Sequence, residues 1–354
     1  MRIAITADWH ARGKDLPDLK KQLDALVGEC QRREIEVLAV LGDIFEHSQI
    51  GDSYASTGAI VEVVAKPIAE WLGNRVDLQS RCDRTVLMIP GNHDVSGAGS
   101  ADALHVFDGV PRITVARNLP LTVLSRTLMC LPWNWGSERT PEQILSDAPM
   151  NEQMLLFAHV EVIGARMGGV QCCEVKPGKW QISREFLESL PVAHVALGHF
   201  HTRQDLTGGR GGYVGALRQL NFGEEGNPAG FEIFDTETRE TEWVELDAAP
   251  TYRTVEVSNP NLMPGKRTNE HLRIRYVGTQ PIDPSVIAEL ERNEDTQLEV
   301  IVPRQERIQR AEVPAGIADD PHGLIGLWAG TQNPPVEAAP LNQMYDRVHA
   351  DAEA

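Results

Sequence analysis

The stretch Val86-Leu87-Met88-Ile89-Pro90-Gly91-Asn92-His93-Asp94 decides how the rest of the chain is interpreted. Its apolar first part is long enough for a buried strand, and Pro-Gly is a turn signal that ends it. An amide, an imidazole and a carboxylate then follow in consecutive positions. Open α/β sheets place their ligand sites at such strand ends. Taken alone, the same residues also fit a turn that merely caps the next element.

The arrangement of an apolar run followed by polar side chains recurs along the chain. A single motif of this kind is more typical of a turn, or of a hydrogen-bonded core histidine, than of a ligand site. Five strand ends that all present carboxylate, amide or imidazole groups are difficult to explain by turns alone. The polar groups that follow predicted strands are Asp8 and His10, Asp43, Asn92 and His93, His159, and His199 and His201.

Helical and strand-like patterns alternate in the first part of the chain. Apolar residues at helical spacing predict helices over residues 16–30 and 53–72, between strands that end near residues 6, 41 and 89. This alternation predicts a βαβ architecture and an α/β fold. Further on, the capping pattern Thr140-Pro141-Glu142-Gln143 predicts the start of a short helix.

The C-terminal part has a different pattern. A strand over residues 271–277, a helix opened by Asp283-Pro284 and a strand over residues 298–302 predict a small α+β unit. From residue 314 onward the sequence is rich in Pro, Ala and Gly, is mostly aperiodic, and shows little sign of long amphipathic helices.

Composition limits the class of protein. With 354 residues, 42% hydrophobic and 24% charged, the chain matches ordinary globular proteins and is long enough for a large core and a second domain. It contains no apolar run of roughly 18 residues, and its N-terminus turns polar too early for a signal peptide, so a cytoplasmic protein without membrane contact is expected. The five cysteines, Cys30, Cys82, Cys130, Cys172 and Cys173, form no CxxC pair, so we expect them to be reduced and mostly buried.

The net charge of −18 argues against a protein that coats DNA, because neutralising phosphates requires Lys and Arg. It does not exclude an enzyme that meets nucleic acid through bound cations, since clustered Asp residues that hold metals add negative charge. Residues 253–312 carry 9 Lys and Arg against 10 Asp and Glu. This nearly neutral segment is the better candidate for contact with a polyanion.

The polar residues at the strand ends form a chemically coherent set of ligands. Oxygen and imidazole donors without thiolates suit Mn, Fe or Zn rather than a closed structural zinc site. The set is too large for one ion, which indicates two ions that share a carboxylate. His199 and His201 are two residues apart and point to the same side of an extended segment, so they can approach adjacent ions. Two metals roughly 3.5–4 Å apart can activate water and stabilise an in-line phosphoryl displacement.

These motifs, in this order, resemble those of the calcineurin-like metallophosphoesterases: Asp8-Trp9-His10, Gly42-Asp43, Gly91-Asn92-His93-Asp94, His159 and Gly198-His199-Phe200-His201. Within that superfamily the chain resembles the SbcD-type nucleases, the nuclease subunits of bacterial SbcCD complexes. The resemblance covers roughly residues 1–310. The narrower match rests on Asp8-Trp9-His10, Gly42-Asp43-Ile44-Phe45, Gly198-His199-Phe200-His201, Tyr213-Val214-Gly215-Ala216, Phe222-Gly223-Glu224 and Gly230-Phe231.

The resemblance implies a fold and a role for each site residue. It implies an α/β protein with a four-layer β-sandwich flanked by helices over residues 1–250 and a small α+β capping domain over 251–312, which is the candidate for DNA contact. The Pro- and Ala-rich residues 313–354 are expected to form a tail that binds a partner or is flexible. His93 would assist the leaving oxygen, with the acidic group of Glu46 as its partner. The implied metal ligands are Asp8, His10 and His201 for one ion, Asn92, His159 and His199 for the other, and Asp43 as the bridge.

The predicted function is a metal-dependent DNA nuclease of SbcD type in DNA repair or recombination. Two divalent ions are expected, Mn²⁺ first, with Fe, Zn and Mg as alternatives. The expected partners are DNA, an SbcC-type ATPase and a second copy of the chain that docks through helix 53–72, although the apolar residues of that helix also fit ordinary core packing. The alternatives are a small-molecule or cyclic-nucleotide phosphodiesterase or phosphatase on the same core, and a scaffold that has the fold without activity.

Overall fold

The computed structural model describes residues 1–51, 53–73, 84–96, 102–117, 122–123, 128–134, 136–167, 170–171, 180–293, 295–301, 320–332 and 336–352. Cys82, Cys172 and Cys173, residues 302–312 of the expected capping domain and residues 313–319 of the expected tail lie outside these ranges. Within the ranges, Cys30 and Cys130 are free and buried, and burial raises the pKa of both thiols to about 12.

The described strands and helices alternate in the first half, and strands dominate the second. The strands are β1 (Arg2–Thr6), β2 (Val37–Leu41), β3 (Thr85–Ile89), β4 (Ile113–Val115), β5 (Thr122–Val123), β6 (Leu128–Leu131), β7 (Leu155–His159), β8 (Glu161–Ile163), β9 (Arg166–Met167), β10 (Val170–Gln171), β11 (Gln181–Ser183), β12 (His194–Gly198), β13 (Gln204–Asp205), β14 (Gly211–Tyr213), β15 (Gly230–Asp235), β16 (Thr241–Glu245), β17 (Thr251–Val257), β18 (Glu270–Val277) and β19 (Thr296–Ile301). The helices are α1 (Leu16–Arg32), α2 (Tyr54–Gly73), α3 (Pro141–Ser146), α4 (Arg184–Ser189), α5 (Pro284–Glu291), α6 (Pro321–Thr331) and α7 (Ala338–Ala352), with 3₁₀ turns at Gly13–Asp15, Ala103–Phe107, Phe222–Glu224 and Pro260–Leu262.

In the described residues, two six-stranded sheets pack face to face. Their strand orders are β16-β15-β1-β2-β3-β4 and β13-β14-β12-β7-β6-β5. Strands β1 to β4 are parallel neighbours, and so are β6, β7, β12 and β14. The core between the sheets contains side chains of both, such as Ile5 and Leu41 from the first and Phe157 from the second. This arrangement makes the two sheets a β-sandwich.

Helices cover the outer faces of both sheets, which explains why the central strands are apolar on both sides. Every residue of β2 is buried: Leu38 and Val40 pack among the residues of α1 and α2, whereas Leu41 packs against the other sheet. Helices α3 and α4 cover the second sheet, and α3 begins with the capping box predicted at Thr140. The predicted α/β fold with a four-layer sandwich is confirmed.

Residues 251–301, termed the cap below, form a smaller unit in which β17, β18 and β19 make a parallel sheet. Burial alternates along β18, where Leu272, Ile274 and Tyr276 are buried on one face. Helix α5 packs against β19, and its Asp283 N-cap accepts a hydrogen bond from Ser285 N at 2.7 Å. The strands and the helix expected from the sequence are therefore present in the described part of this unit.

The described part of the tail contains two helices, α6 with 11 residues and α7 with 15, so the segment predicted to be mostly aperiodic is partly helical. The helices contact each other through His322 Nε2 and Asp346 Oδ1, 2.7 Å apart. Pro and Gly made this sequence look irregular, but Pro321 occupies the first turn, where its missing N–H costs nothing. Packing between the helices compensates for the low helix propensity of the glycines in α6.

None of the described helices combines the length and the apolar character that crossing a membrane would require.

Candidate metal centre

The predicted site residues lie at one edge of the sandwich. The C-terminal ends of β1, β2 and β3 meet there because these strands are parallel, and β2 packs against β7 and β12 of the other sheet. The loops after β1 and β2 are joined by backbone hydrogen bonds from Asp8 N to Gly42 O, 3.1 Å, and from His10 N to Asp43 O, 2.9 Å. The side chains brought to this edge are Asp8, His10, Asp43, Asn92, His93, His159, His199 and His201.

Asp8, His10 and His201 form a first group whose candidate ligand atoms all lie within 4.8 Å of one another. The Nε2 atoms of the two imidazoles are 3.1 Å apart. Their Nδ1 atoms face carboxylates: His10 Nδ1 lies 3.0 Å from Glu46 Oε2, and His201 Nδ1 lies 2.8 Å from Glu224 Oε1. A carboxylate accepts, so each Nδ1 donates to its carboxylate and each Nε2 is left facing the shared space as the atom that could bind a metal. This donor arrangement fits a metal ion.

A second group surrounds Asn92. Its Oδ1 atom lies 3.0 Å from His159 Nε2 and 2.8 Å from His199 Nδ1. His159 is fully buried and donates through Nδ1 to the carbonyl of Leu41 at 2.7 Å, which leaves Nε2 as the ligand atom. The amide oxygen and two imidazole nitrogens therefore converge on one point.

Asp43 lies between the two groups. Its Oδ2 atom is 3.8 Å from His10 Nε2 in the first group and 3.4 Å from His159 Nε2 in the second. Its Oδ1 atom accepts a hydrogen bond from His93 N at 2.8 Å, which fixes the orientation of the carboxylate. The position of Asp43 matches that of a carboxylate shared by two ions.

The backbone at the centre is strained. Asp8, His10, Asp43 and His199 have φ values of 55°, 47°, 51° and 111°, in the left-handed region that residues with a Cβ rarely occupy. Gly91 is required for a different reason, because a Cβ there would overlap the Asp43 carboxylate. Such conformations cost free energy and persist only where the surrounding structure imposes them, typically at functional sites.

Charges compensate one another within the centre. Burial by itself lowers the pKa of His159, but the charge and hydrogen bond of Asp43 outweigh it and raise that pKa to about 9. Burial also opposes protonation of His201, whereas Glu224 and then Asp8 raise its pKa to about 9. Burial would raise the pKa of Asp43, but His159 holds it below its usual range. Imidazolium charge thus balances the buried carboxylates, and bound cations would supply that charge instead and release the protons.

His93 lies beside the first group. Its Nδ1 atom is 2.8 Å from the backbone carbonyl of Glu46, and its ring stands edge-on to His10 with centroids 4.7 Å apart. The carboxylate of Glu46 pairs with His10 and lies 3.5 Å from Arg12 Nη1. Although burial would raise the pKa of this carboxyl, His10 and Arg12 lower it to about 2. The expected partner residue is therefore adjacent to His93, but it contacts the imidazole through its backbone, while its acidic group orients His10.

Sequence reasoning missed the structural role of Asp94. This fully buried carboxylate accepts hydrogen bonds from Phe45 N at 2.9 Å, Gly91 N at 2.9 Å and Ile44 N at 3.3 Å. It ties the loop of Asp43 to the loop that carries Asn92. Burial, followed by the charge of Asp43, raises its pKa to about 7. The residue was visible within the Gly91 to Asp94 motif, but its backbone partners were not.

Glu224 and Trp133 were also missed as parts of the centre. Glu224 lies on the 3₁₀ turn Phe222–Glu224, far from His201 in sequence, so no spacing rule connects the two. The Trp133 ring lies against His199 and His159, with centroids 5.1 and 6.0 Å apart. It forms an apolar wall on the imidazoles of the second group.

A sequence model of the calcineurin-like phosphoesterase family matches residues 1–203, more than half of the chain. The chain therefore belongs to the calcineurin-like phosphoesterase family. Membership implies metal-dependent hydrolysis of phosphoesters at a dinuclear metal centre. The matched range ends just after His201 and includes every residue predicted as a metal ligand. Glu224 and the cap lie beyond it.

Proposed function

We propose that the protein is a metal-dependent DNA nuclease of SbcD type that acts in DNA repair or recombination. It hydrolyses phosphodiester bonds as an exonuclease at duplex ends and as an endonuclease on single strands or hairpins. Mn²⁺ is the proposed metal, with Fe, Zn and Mg as alternatives, and the cytoplasm is the proposed location. The family supplies the phosphoesterase chemistry, and the substrate is the new part of the proposal.

The residues of the metal centre have distinct proposed tasks. One ion would be held by Asp8, His10 and His201, and the other would be held by Asn92, His159 and His199. Asp43 would contact both ions. When bound, the two ions polarise the phosphoryl oxygens and activate a water molecule.

The proposed proton-transfer residue is His93. Its Nδ1 atom is held by the Glu46 carbonyl, so Nε2 remains for proton transfer to the leaving oxygen. Because Asp43 also accepts from His93 N, the same carboxylate fixes the position of this group relative to both ions.

The observation that carries the DNA proposal is the polar face of the cap. Alternation along β18 places His271, Arg273 and Arg275 opposite the buried side chains, and Tyr252 of β17 pairs with His271 on the same face. The His271 and Tyr252 rings stack with centroids 4.6 Å apart. A sheet face with guanidinium and aromatic groups suits a nucleic-acid strand, whose phosphates and bases bind such groups.

This face contacts the 3₁₀ turn that carries Glu224. Arg273 lies over the Phe222 ring, with 4.5 Å between its Cζ atom and the ring centroid. Two residues further along the chain, Glu224 is hydrogen-bonded to His201. A polymer on the cap face would therefore continue towards the metal centre, whereas a small phosphodiester needs no such surface.

Two protein partners belong to the proposal. An SbcC-type ATPase would bind α6 and α7, where the described residues Trp328 and Met344 are exposed, as is Val336 between the two helices. A second copy would dock on α2, but Ile60, Val64, Ile68 and Leu72 of this helix are buried in the core, so the contact would use its outer side. Sedimentation velocity of the purified chain tests the dimer.

A direct assay tests the substrate. The purified chain is incubated with linear duplex DNA, circular DNA, hairpin DNA and a chromogenic phosphodiester, with and without Mn²⁺. We expect Mn²⁺-dependent degradation of linear DNA and cleavage of hairpins. Asp43→Asn serves as the inactive control for a contaminating nuclease. Hydrolysis of the chromogenic compound without cleavage of any DNA would contradict the proposal and favour a small-molecule phosphodiesterase or phosphatase.

A further inference from the structure

Residues 218–225, termed the connecting segment, contact both the metal centre and the cap. On the metal-centre side, Arg218 Nη2 donates to Asp15 Oδ2 at 3.1 Å and lies 3.5 Å from the carbonyl of His10. Arg12 donates to the carbonyl of Leu220 at 3.1 Å. The segment therefore packs directly behind the first group of candidate ligands.

Glu224 makes the most direct contact with the centre. Its Oε1 atom lies 2.8 Å from His201 Nδ1 and accepts from Asn221 Nδ2 at 3.2 Å, and its Oε2 atom accepts from Leu220 N at 2.8 Å. Both carboxylate oxygens are engaged and the residue is buried, so its orientation is fixed. A carboxylate in this position fixes the tautomer of a metal-binding histidine and raises its basicity.

Every third side chain of the segment, at Gln219, Phe222 and Glu225, contacts the cap. Gln219 Oε1 accepts from Tyr252 N at 2.8 Å, and Glu225 Oε2 accepts from Thr254 N at 2.9 Å. Phe222 meets the Tyr252 ring edge-on, with centroids 4.9 Å apart and an interplanar angle of 84°. Its face lies under Arg273. Phe222 is thus held between two side chains of the cap, on the same 3₁₀ turn as Glu224.

We infer that Glu224 is a positioning residue for His201 and that the cap holds Glu224 in place through Phe222. The affinity of the first metal site then depends on the position of the cap, and binding of metal stabilises that position in return, because coupling between two sites is reciprocal. The inference rests on the proposed metal centre and is independent of DNA as the substrate.

Titration calorimetry with Mn²⁺ on the full chain tests this coupling without any substrate. Glu224→Ala should weaken the binding of one ion by about 10- to 100-fold, the usual effect of removing the outer partner of a ligand. Glu224→Gln keeps an acceptor but not the charge, and should weaken the same ion less. Phe222→Ala should weaken it by about 2- to 30-fold, the range expected for residues that transmit coupling. In the double variant Phe222→Ala/Glu224→Ala, the fold-loss of Mn²⁺ affinity should be smaller than the product of the two single losses.

Two matched variants control for general destabilisation. Glu142 lies in α3, on the outer face of the second sheet, and accepts from Ser183 N at 2.7 Å, and Phe186 packs on the same sheet. Glu142→Ala and Phe186→Ala should leave Mn²⁺ affinity unchanged, and thermal unfolding verifies that every variant is folded.

Wild-type Mn²⁺ affinity in Phe222→Ala overturns the coupling to the cap. The positioning role is overturned if both Glu224→Gln and Glu224→Ala bind Mn²⁺ with wild-type affinity. If Glu224→Ala does not fold, wild-type affinity in Glu224→Gln alone overturns it. Unmodified protein that binds Mn²⁺ but cleaves no DNA would contradict the proposed substrate and leave this test valid.

Discussion

At the metal centre, backbone groups fix several of the polar side chains, whereas on the cap face the arginines are fixed by other side chains. Leu41 O orients His159, His93 N orients Asp43, and the strained loops that carry these residues are tied by backbone hydrogen bonds. On the cap, Arg275 pairs with Glu299 at 2.9 Å and Arg273 lies over Phe222. Backbone groups hold a ligand within tenths of an ångström, while exposed side chains can adapt to a long, variable substrate.

This difference predicts how substitutions act. A change at the centre should remove metal or slow hydrolysis of every phosphodiester. A change on the cap face should affect long substrates and spare small ones. The following experiments test that division, in order of decreasing effect.

The largest effect is expected from Asp43→Asn. A carboxylate that serves both ions cannot be replaced by an amide without loss of charge at both, so the variant should lose both ions and retain only metal-independent background activity. Elemental analysis of the purified protein gives the stoichiometry. Asp147→Asn is the control, since the side chain of Asp147 is exposed and pairs with Arg139. Two ions still tightly bound in Asp43→Asn would refute the bridging role.

His93→Ala should leave the metals in place and slow hydrolysis. General acid–base assistance contributes typically about 10²–10⁴-fold in rate, so a loss of that order is expected on both DNA and a small phosphodiester. Metal content and cleavage are measured on the same preparation. His105→Ala is a matched control, because His105 is exposed and its Nδ1 also pairs with a backbone carbonyl, that of Asp102. If metal is lost together with activity, His93 is a ligand and the proposed role is wrong.

The sequence predicted the residues of the centre better than the contacts that hold them. Asp8, Asp43 and Asn92 could be located because apolar strands and their polar ends leave a local pattern, and parallel strands bring those ends to one edge. The contact of His93 with the Glu46 carbonyl, instead of its carboxylate, depends on the path of the backbone, which no side-chain pattern encodes.

Long-range contacts and weak propensities account for the rest. Glu224 reaches His201 from a turn that contacts the cap, more than twenty residues further along the chain, so neither residue indicates the other in sequence. Helices α6 and α7 depend on packing with each other, and their Pro and Gly residues concealed them. These features depend on tertiary contacts, which composition and periodicity do not report.

Asp94→Asn tests how far the loops of the centre depend on buried hydrogen bonds. One carboxylate oxygen accepts from Phe45 N, and the other accepts from Gly91 N and Ile44 N. An amide has only one oxygen, so its NH₂ group would face one of these two sets of N–H donors. Losing a buried acceptor costs about 1–3 kcal/mol of unfolding free energy. The net loss in Asp94→Asn should be smaller, because the neutral amide avoids the cost of burying a charged carboxylate. Urea unfolding of metal-depleted protein measures this loss against Asp147→Asn. An unchanged midpoint with an unchanged slope would show that Asp94 does not hold the loops.

The smallest effect is expected at Arg275, on the part of the cap face that does not touch the connecting segment. If DNA lies on this face, the guanidinium contributes one phosphate contact, and Arg275→Ala should reduce the slope of log affinity against log salt by about 1. Hydrolysis of a small phosphodiester should not change, because Arg275 contacts none of the metal-centre residues. Arg184→Ala is a close control: both arginines pair with a glutamate at 2.9 Å, and their side chains are 39% and 44% exposed. Arg184 lies on α4, outside the second sheet, and its removal should leave the salt slope as it is. Equal salt slopes for the two variants would mean that DNA does not cross the cap face. The proposed division, in which the metal centre acts on every phosphodiester and the cap selects long substrates, would then fail.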